Sequence, residues 1–181
     1  MHIPAATAIG LAAYLAALLI QRSGELWLSR RNLARLASRG AVEAHARHFW
    51  MFVVLHAGYP IALVAEVVGG ARSPAAWPLW LALWLAAQAL RLAAIRTLGE
   101  RWNVRIVVVP GAAPVRHGIY RWLAHPNYVA VAFEFVSAPL VFGAWRTAVA
   151  CSALNALAMA VRIPAEERAL REAAESPARP G

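Results

Sequence analysis

The sequence contains no lysine and no aspartate, so its side-chain cations are arginines (with six histidines) and all nine acids are glutamates. Cys151 is the only cysteine, which excludes an intramolecular disulfide and predicts a small buried apolar side chain. Polar residues are also scarce, because 61% of the chain is hydrophobic, against about 45–50% in soluble domains. The composition therefore predicts an integral membrane protein, and its length suits a single domain.

Five apolar stretches are long enough to suggest transmembrane helices, which need roughly 20 mostly apolar residues. They cover about residues 3–20, 49–68, 75–95, 127–144 and 146–161. The last two are short and nearly meet, which predicts a tight helical hairpin, and Pro60 and Pro139 are expected to kink their helices. We expect an all-α protein with one membrane-embedded domain over residues 1–175 and a disordered tail at 176–181.

Arginine is distributed unevenly between the predicted connections. Sixteen of the eighteen arginines, from Arg22 and Arg47 in the first connection to Arg179 in the tail, fall on one side of the predicted bundle. Only Arg72 and Arg146 fall on the other side. This bias predicts an N-terminus outside the cell and long loops and a tail in the cytoplasm, as expected for a bacterial inner-membrane protein. Residues 3–20 are then a retained span and not a signal peptide.

The same distribution explains the net charge of +9 through membrane orientation. We therefore predict membrane lipids as neighbours and no nucleic-acid partner, and we infer no obligate protein partner and no metal site.

The stretch GIYRWLAHPNYVAVAFE, residues 118–134, ends a long connection with His125-Pro126 and then becomes apolar. Because the residue before a proline avoids the helical region and proline suits the first helical position, His125 is expected just outside a helix N-terminus. The free N–H groups there, together with an imidazole, predict a site for an anionic group. Nearby Trp102, Trp122 and Tyr128 either cover a flat ring in this pocket or form an aromatic belt at the membrane surface.

Glu134 is a carboxylate inside the fourth predicted span, where an acid is costly and usually faces a cavity or a partner. It is a candidate general base, and pairing with Arg162 is the structural alternative. His56 and Gln88 lie within other spans and are expected to form hydrogen bonds between helices. After the fifth span, Glu166 and Glu167 are expected in the first turn of a helix that follows Pro164.

Three motifs together resemble the isoprenylcysteine carboxyl methyltransferase superfamily, which also includes phospholipid methyltransferases. GIYRWLAHPNY resembles its G-x-Y-x-x-x-R-H-P-x-Y signature, and RIPAEERAL resembles its C-terminal Arg-x-x-x-Glu-Glu motif. LGERWNVRI resembles the Leu-Gly-x-x-Trp stretch before the loop. The resemblance covers about residues 90–170, and the subgroup it resembles most comprises bacterial proteins linked to O-methylation of alkylpyrones and alkylresorcinols.

The resemblance implies that S-adenosyl-L-methionine binds in a cytoplasmic pocket capped by the loop and the C-terminal helix. It implies that His125, Tyr128 and Glu166 hold this cofactor, with Glu167 nearby, and that Arg162 lies close to the acceptor. We add Tyr120, Trp122 and Pro126 from the same loop to the predicted cofactor-binding set. One departure is Ala124, where the family commonly has arginine; either Arg116 or Arg121 is expected to supply the missing guanidinium, or the affinity for the cofactor is reduced.

The resulting prediction is S-adenosylmethionine-dependent methylation of a lipophilic acceptor that arrives from the bilayer. A phenol or enol acceptor would use Glu134 as its base, whereas a carboxylate acceptor would need only a cation such as Arg162. The alternatives are a phospholipid N-methyltransferase, an NADPH-dependent lipid reductase and a non-enzymatic membrane scaffold.

Overall fold

The computed structural model describes residues 3–44 and 49–176. The described part contains α1 (Ala5–Ala37), β1 (Val42–Glu43), α2 (Phe49–Val68), α3 (Trp77–Leu98), β2 (Val107–Val108), α4 (Pro126–Val141) and α5 (Trp145–Glu175), with short 3-10 helices at Gly99–Arg101 and Gly118–Arg121. Arg47, Arg179 and the predicted tail after residue 176 lie outside the described residues. Of these elements, α1, α2, α3 and α5 are long and apolar enough to cross a membrane, in an all-α integral membrane protein.

Helix α1 extends well past the predicted end at residue 20. The extension contains no proline, and its buried residues are Glu25, Ser29, Asn32 and Leu36, which recur at helical spacing. The stripe that packs inward is therefore largely polar, which is why hydrophobicity alone placed the end of this helix too early. Asn32 fixes the extension to the loop after α3 by donating to the carbonyl of Trp102 at 2.7 Å.

The loop before α4 contains a short extended segment, β2. Strand β2 pairs antiparallel with β1, with Val42 opposite Val108 and Glu43 opposite Val107. The loop also reaches the end of α5, because the Gly111 N–H donates to the carbonyl of Ala173 at 2.8 Å. These contacts bring the connection after α1, the long loop and the C-terminal helix to the same end of the bundle.

Helix α4 is shorter than predicted. Its 16 residues extend about 24 Å at about 1.5 Å per residue, less than the roughly 30 Å of a hydrocarbon core. It is nevertheless a central element, packed against α3 and α5, and Ala130, Phe135 and Ala138 are almost fully buried. The predicted hairpin with α5 is present, and Glu66 at the end of α2 stabilises it by accepting the N–H of Thr147 at 2.7 Å.

Helix α5 continues through Pro164 to Glu175. The predicted end at residue 161, and the separate helix expected after Pro164, are therefore wrong. A proline inside a helix removes one backbone hydrogen bond, but the residues on both sides of Pro164 are helical. The consequence matters for the site, because Arg162 and Glu166 lie one turn apart on a single continuous helix.

The apolar core lies between α1, α2, α4 and α5. It includes Tyr59, Leu63 and Phe135, and Cys151 is buried within it, as predicted. Tyr14 of α1 joins this core through a 2.7 Å hydrogen bond between its hydroxyl and that of Tyr59.

Candidate active site

A cavity of about 570 Å³ lies between the loop, the C-terminal half of α5, the middle of α1 and the first half of α2. Its lining includes both polar and apolar side chains. The polar group contains Tyr120, His125, Asn127, Tyr128, Arg162 and Glu166, and the apolar group contains Leu18, Leu19, Leu26, Phe52, Val53 and Met159. The volume falls in the range of about 300–1,000 Å³ that is typical of cofactor and small-molecule sites.

Tyr128, Arg162 and Glu166 form one hydrogen-bonded group in the cavity wall. The Tyr128 hydroxyl donates to Glu166 Oε2 and accepts from Arg162 Nε at 2.8 Å. Arg162 Nη2 donates to the carbonyl of Val104 in the loop at 2.7 Å. The arrangement needs Tyr128 in the first turn of α4 and an i, i+4 pair on α5, and so it ties the loop to both helices.

His125 lies beside this group. It is the N-cap residue of α4 and Pro126 begins the helix, which confirms the predicted junction. The imidazole stacks on the Tyr128 ring with 5.4 Å between the centroids, and its Nε2 lies 3.3 Å from Glu167 Oε1. The helix N-terminus, the imidazole and Glu166 therefore border a common space.

Two further side chains complete the polar wall. The Asn127 Oδ1 atom is buried without a hydrogen-bond partner in the described part of the chain, which leaves an acceptor available to a ligand. Burial, followed by the nearby Glu166 carboxylate, raises the pKa of the Tyr120 hydroxyl above its usual value. Tyr120 therefore stays protonated at neutral pH and can donate a hydrogen bond.

Glu134 lies elsewhere, in a cluster of charged side chains inside the bundle. Arg91 donates to it through Nε at 3.0 Å and through Nη2, Arg22 through Nη2 at 3.1 Å, and Gln88 at 2.6 Å. Glu25 completes the cluster, with bonds from Arg91 at 3.0 Å and from Arg22 at 2.7 Å. The alternative pairing of Glu134 with Arg162 is wrong, since Arg162 bonds to Tyr128 and to the carbonyl of Val104.

The use of Glu134 as a base stays a prediction, and its placement argues against it. The carboxylate is buried and accepts hydrogen bonds from two guanidinium groups, which occupy its lone pairs. It borders a void of about 10 Å³ and is not among the described residues that line the large cavity.

The profile of the isoprenylcysteine carboxyl methyltransferase (ICMT) family matches residues 80–172. The uncharacterized protein YpbQ of Bacillus subtilis (strain 168) is 37% identical over 161 residues, which are 87% of this chain and 95% of the relative. The chain belongs to the isoprenylcysteine carboxyl methyltransferase family.

A more distant relative is an uncharacterized protein of Haemophilus influenzae (strain ATCC 51907 / DSM 11121 / KW20 / Rd), 27% identical over 157 residues, which are 86% of this chain and 91% of the relative. No solved structure matches. The family match includes every predicted site residue from Tyr120 to Glu167. Membership indicates a membrane methyltransferase.

Some predicted members of the ICMT-type site lie outside the cavity. Trp122 is 77% exposed and belongs to the surface, with Arg121 over its ring at 5.3 Å, whereas Trp102 is buried and lines the cavity. Pro126 is fully buried and acts by starting α4, and Glu167 is half exposed and contacts the site through His125. Trp122 is thus outside the described lining of the cavity, and its role in cofactor binding stays a prediction.

The expectation that Arg116 or Arg121 replaces the family arginine stays a prediction. Arg116 and Arg121 are not among the described lining residues, while Arg101 and Arg105 are. Arg101 is anchored by a 2.7 Å bond to the carbonyl of Ala113. The arginines that the loop contributes to the described cavity therefore come from the segment before β2, and not from the segment just before Ala124.

Four polar side chains that line the cavity were not predicted as site residues: Arg22, Glu25, His56 and Arg91. Gln88 confirms its predicted role by bonding across helices to Glu134, but His56 bonds to its own helix, at the Phe52 carbonyl. The sequence did contain a signal for two of them: Arg22 and Glu25 are three residues apart, as on one face of a helix. The segment that contains them was instead interpreted as a connection after the first apolar stretch.

Proposed function

We propose that this chain is an S-adenosyl-L-methionine-dependent methyltransferase that methylates a hydroxyl oxygen of a lipophilic acceptor, with a long-chain phenol or enol such as an alkylresorcinol or alkylpyrone as the acceptor class. The observation that carries the proposal is a single cavity lined at one place by Tyr128, Arg162 and Glu166 and at another by membrane-facing leucine and valine side chains. A polar donor and an apolar acceptor can meet only in a space with both kinds of wall.

The residues of the polar wall fit the cofactor. Glu166 offers a carboxylate for an ammonium or for ribose hydroxyls, the unpartnered Asn127 Oδ1 offers an acceptor, and Tyr120 offers a donor. His125 and Tyr128 present stacked rings beside them. When bound, the cofactor supplies an activated methyl group, so the protein needs mainly to orient the reactants and exclude water.

The apolar wall fits an acceptor that enters from the bilayer. Leu19 and Leu26 of α1 and Val53 of α2 line the cavity and are 69%, 46% and 51% exposed on the bundle. In a membrane these exposed faces contact acyl chains, so a lipid tail can occupy the gap between α1 and α2 while its head group reaches the cavity.

Arg162 lies between the two walls. Its guanidinium is over the Phe52 ring at 4.9 Å and the Tyr128 ring at 5.7 Å. A guanidinium has five N–H donors, and the bonds to Tyr128 and Val104 use only two. We infer that Arg162 orients the acceptor oxygen by hydrogen bonding, while the loop and α5 keep bulk water away from it.

We also propose that the protein lies in the bacterial inner membrane with this cavity on the cytoplasmic side. The loop and the end of α5 lie together and carry many of the arginines, which favour the cytoplasm. The cofactor is made and used there.

The proposal is tested with purified protein in detergent. Calorimetry should show binding of S-adenosylmethionine and of S-adenosylhomocysteine, and the labelled methyl group should appear on a long-chain alkylresorcinol or hydroxypyrone. Methylation of phosphatidylethanolamine instead would establish an N-methyltransferase, and binding of NADPH alone would establish a reductase. Binding of neither cofactor would leave the scaffold alternative.

A further inference from the structure

His56 is an unassigned imidazole in the wall of the cavity. It lies on α2 one helical turn from Phe52, the residue whose ring contacts the Arg162 guanidinium at 4.9 Å. His56 lines the same cavity as Arg162 and Tyr128. A cavity that holds the acceptor oxygen near Arg162 therefore also has an imidazole in its wall, one helical turn along α2 from the ring that contacts Arg162.

The hydrogen bonding of His56 determines its tautomer. The Nδ1 atom lies 2.8 Å from the carbonyl oxygen of Phe52, and a carbonyl oxygen can only accept a hydrogen bond. Nδ1 therefore carries the proton in the neutral ring, and Nε2 has a free lone pair. Among the described residues Nε2 has no hydrogen-bond partner, and it is not among the buried unpartnered side-chain atoms.

The surroundings of His56 hold the ring in place. The ring packs against Phe135 of α4, with 5.2 Å between the centroids. The charged groups that face it are Arg22 and Glu25 from α1, Arg91 from α3 and Glu134 from α4, and Arg22 and Glu134 border the same small void. These four groups are paired with one another, so the uncommitted proton acceptor at this end of the described cavity is His56 Nε2.

From this geometry we propose that His56 is the general base that removes the proton from the hydroxyl of the acceptor, a role that rests on the proposed O-methylation. The acceptor oxygen forms a bond to the methyl carbon while the bond from that carbon to the sulfonium sulfur breaks and leaves its electron pair on a neutral thioether. The hydroxyl proton passes to Nε2, so the positive charge of the sulfonium ends on the imidazolium. That proton leaves to water when the products depart.

The proposal predicts that two types of acceptor differ in their need for His56. A phenol such as a long-chain alkylresorcinol is neutral at pH 7 and needs a base, whereas the enol of a long-chain hydroxypyrone is acidic enough to be already ionised. His56→Asn keeps a donor for the Phe52 carbonyl and lacks a basic nitrogen, and His56→Gln is a second variant. The matched control is His117→Asn, since His117 is exposed in the loop away from the cavity.

The kinetic experiment compares kcat for both acceptors in detergent. For His56→Asn, kcat for the alkylresorcinol should fall by about 100-fold, the lower part of the range for general bases, and kcat for the hydroxypyrone should change by less than about threefold. Affinity for S-adenosylhomocysteine, which reports a folded cofactor pocket, should stay unchanged in both variants and in His117→Asn.

A second measurement needs no methyl transfer. A long-chain alkyl nitrophenol is titrated on the protein without cofactor, and its visible absorption reports the phenolate. The wild type should lower the apparent pKa of the bound probe by about one unit relative to His56→Asn, because the imidazolium stabilises the phenolate. His117→Asn should give the wild-type value.

The outcomes distinguish the two proposals. Equal losses with both acceptors, no loss with the alkylresorcinol, or equal probe titrations for wild type and His56→Asn would each overturn the assignment of His56 while O-methylation stands. If the wild type methylates neither acceptor, the proposed function fails and the role of His56 fails with it.

Discussion

Arg91 of α3 binds Glu134 of α4 through two hydrogen bonds, from Nε to Oε1 at 3.0 Å and from Nη2 to Oε2. Arg91 also reaches Glu25 of α1 through Nη1 at 3.0 Å. One guanidinium therefore joins three helices in the interior of the bundle, where α1 has few backbone neighbours and depends on side-chain contacts. Two arginines and two glutamates balance each other there, which is how these charges are tolerated.

The first prediction concerns the stability of this charged cluster. Glu134→Gln leaves Arg91 and Arg22 without one of their shared carboxylates, and removing one partner of a buried pair costs about 3–5 kcal/mol. The variant should unfold at a clearly lower Tm in detergent. The control is Glu100→Gln, whose ion pairs with Arg35 and Arg39 are exposed, so its loss should cost no more than about 1 kcal/mol.

The same variant also tests the base assignment of Glu134. If its only role is structural, kcat per folded molecule with an alkylresorcinol should remain close to that of the wild type. A variant with an unchanged Tm and a lost kcat would restore Glu134 as the base.

The second prediction concerns the hydroxyl that joins Arg162 to Glu166. Tyr128→Phe removes the two hydrogen bonds of the Tyr128 hydroxyl, one donated to the Glu166 carboxylate and one accepted from the Arg162 guanidinium. Hydrogen bonds to charged groups are worth about 1.5–3 kcal/mol each, and their loss frees Glu166 from its fixed position. Binding of S-adenosylhomocysteine measured by calorimetry should weaken by about 10-fold or more. Tyr14→Phe removes a tyrosine hydroxyl outside the cavity, bonded to Tyr59, and should leave this affinity at the wild-type value.

The third prediction separates two tryptophans of the loop region. Trp102 is buried, so Trp102→Ala should cost about 3–5 kcal/mol as a cavity-forming change. The backbone carbonyl that accepts from Asn32 is kept in this variant. Trp122 is exposed, and Trp122→Ala should stay within about 0.5 kcal/mol. Thermal unfolding in detergent measures both, and a Trp122→Ala variant that loses cofactor affinity would contradict its surface placement.

The fourth prediction concerns the turn between α4 and α5. Gly143 has φ +73°, and a Cβ there would lie 2.0 Å from the carbonyl oxygen of Arg72. Gly143→Ala should therefore destabilise the hairpin by more than the roughly 1–2 kcal/mol of the left-handed conformation alone. Gly24→Ala is the control, since nothing lies within 4 Å of its Cβ and alanine favours a helix interior by about 0.5–1 kcal/mol. Equal Tm changes would contradict this reading.

The fifth prediction is the orientation. In a Cys151→Ser background, a single cysteine at the exposed Arg116 should be labelled by an impermeant maleimide only in inverted vesicles. A cysteine at the exposed Ser73 should be labelled in intact cells. The opposite pattern would place the cavity outside the cell.

The sequence by itself determined the membrane character, the helix that begins at Pro126 and the family motifs that gather at the cavity. Apolar length, proline geometry and motif spacing are local properties, and local properties can be read along a chain. Gln88 was likewise predicted correctly, because a polar side chain in a span needs a partner on another helix.

Only the tertiary structure decided which charges meet. Arg22, Glu25, Arg91 and Glu134 come from three helices, and their pairing depends on distances that no local pattern contains. For the same reason Trp102 is buried at the cavity whereas Trp122 is exposed on the protein surface, although both are tryptophans of one loop region. The direction of His56 Nε2 also follows from helix packing and from one backbone carbonyl, so the residue best placed to accept a proton emerged only once the helices were in position.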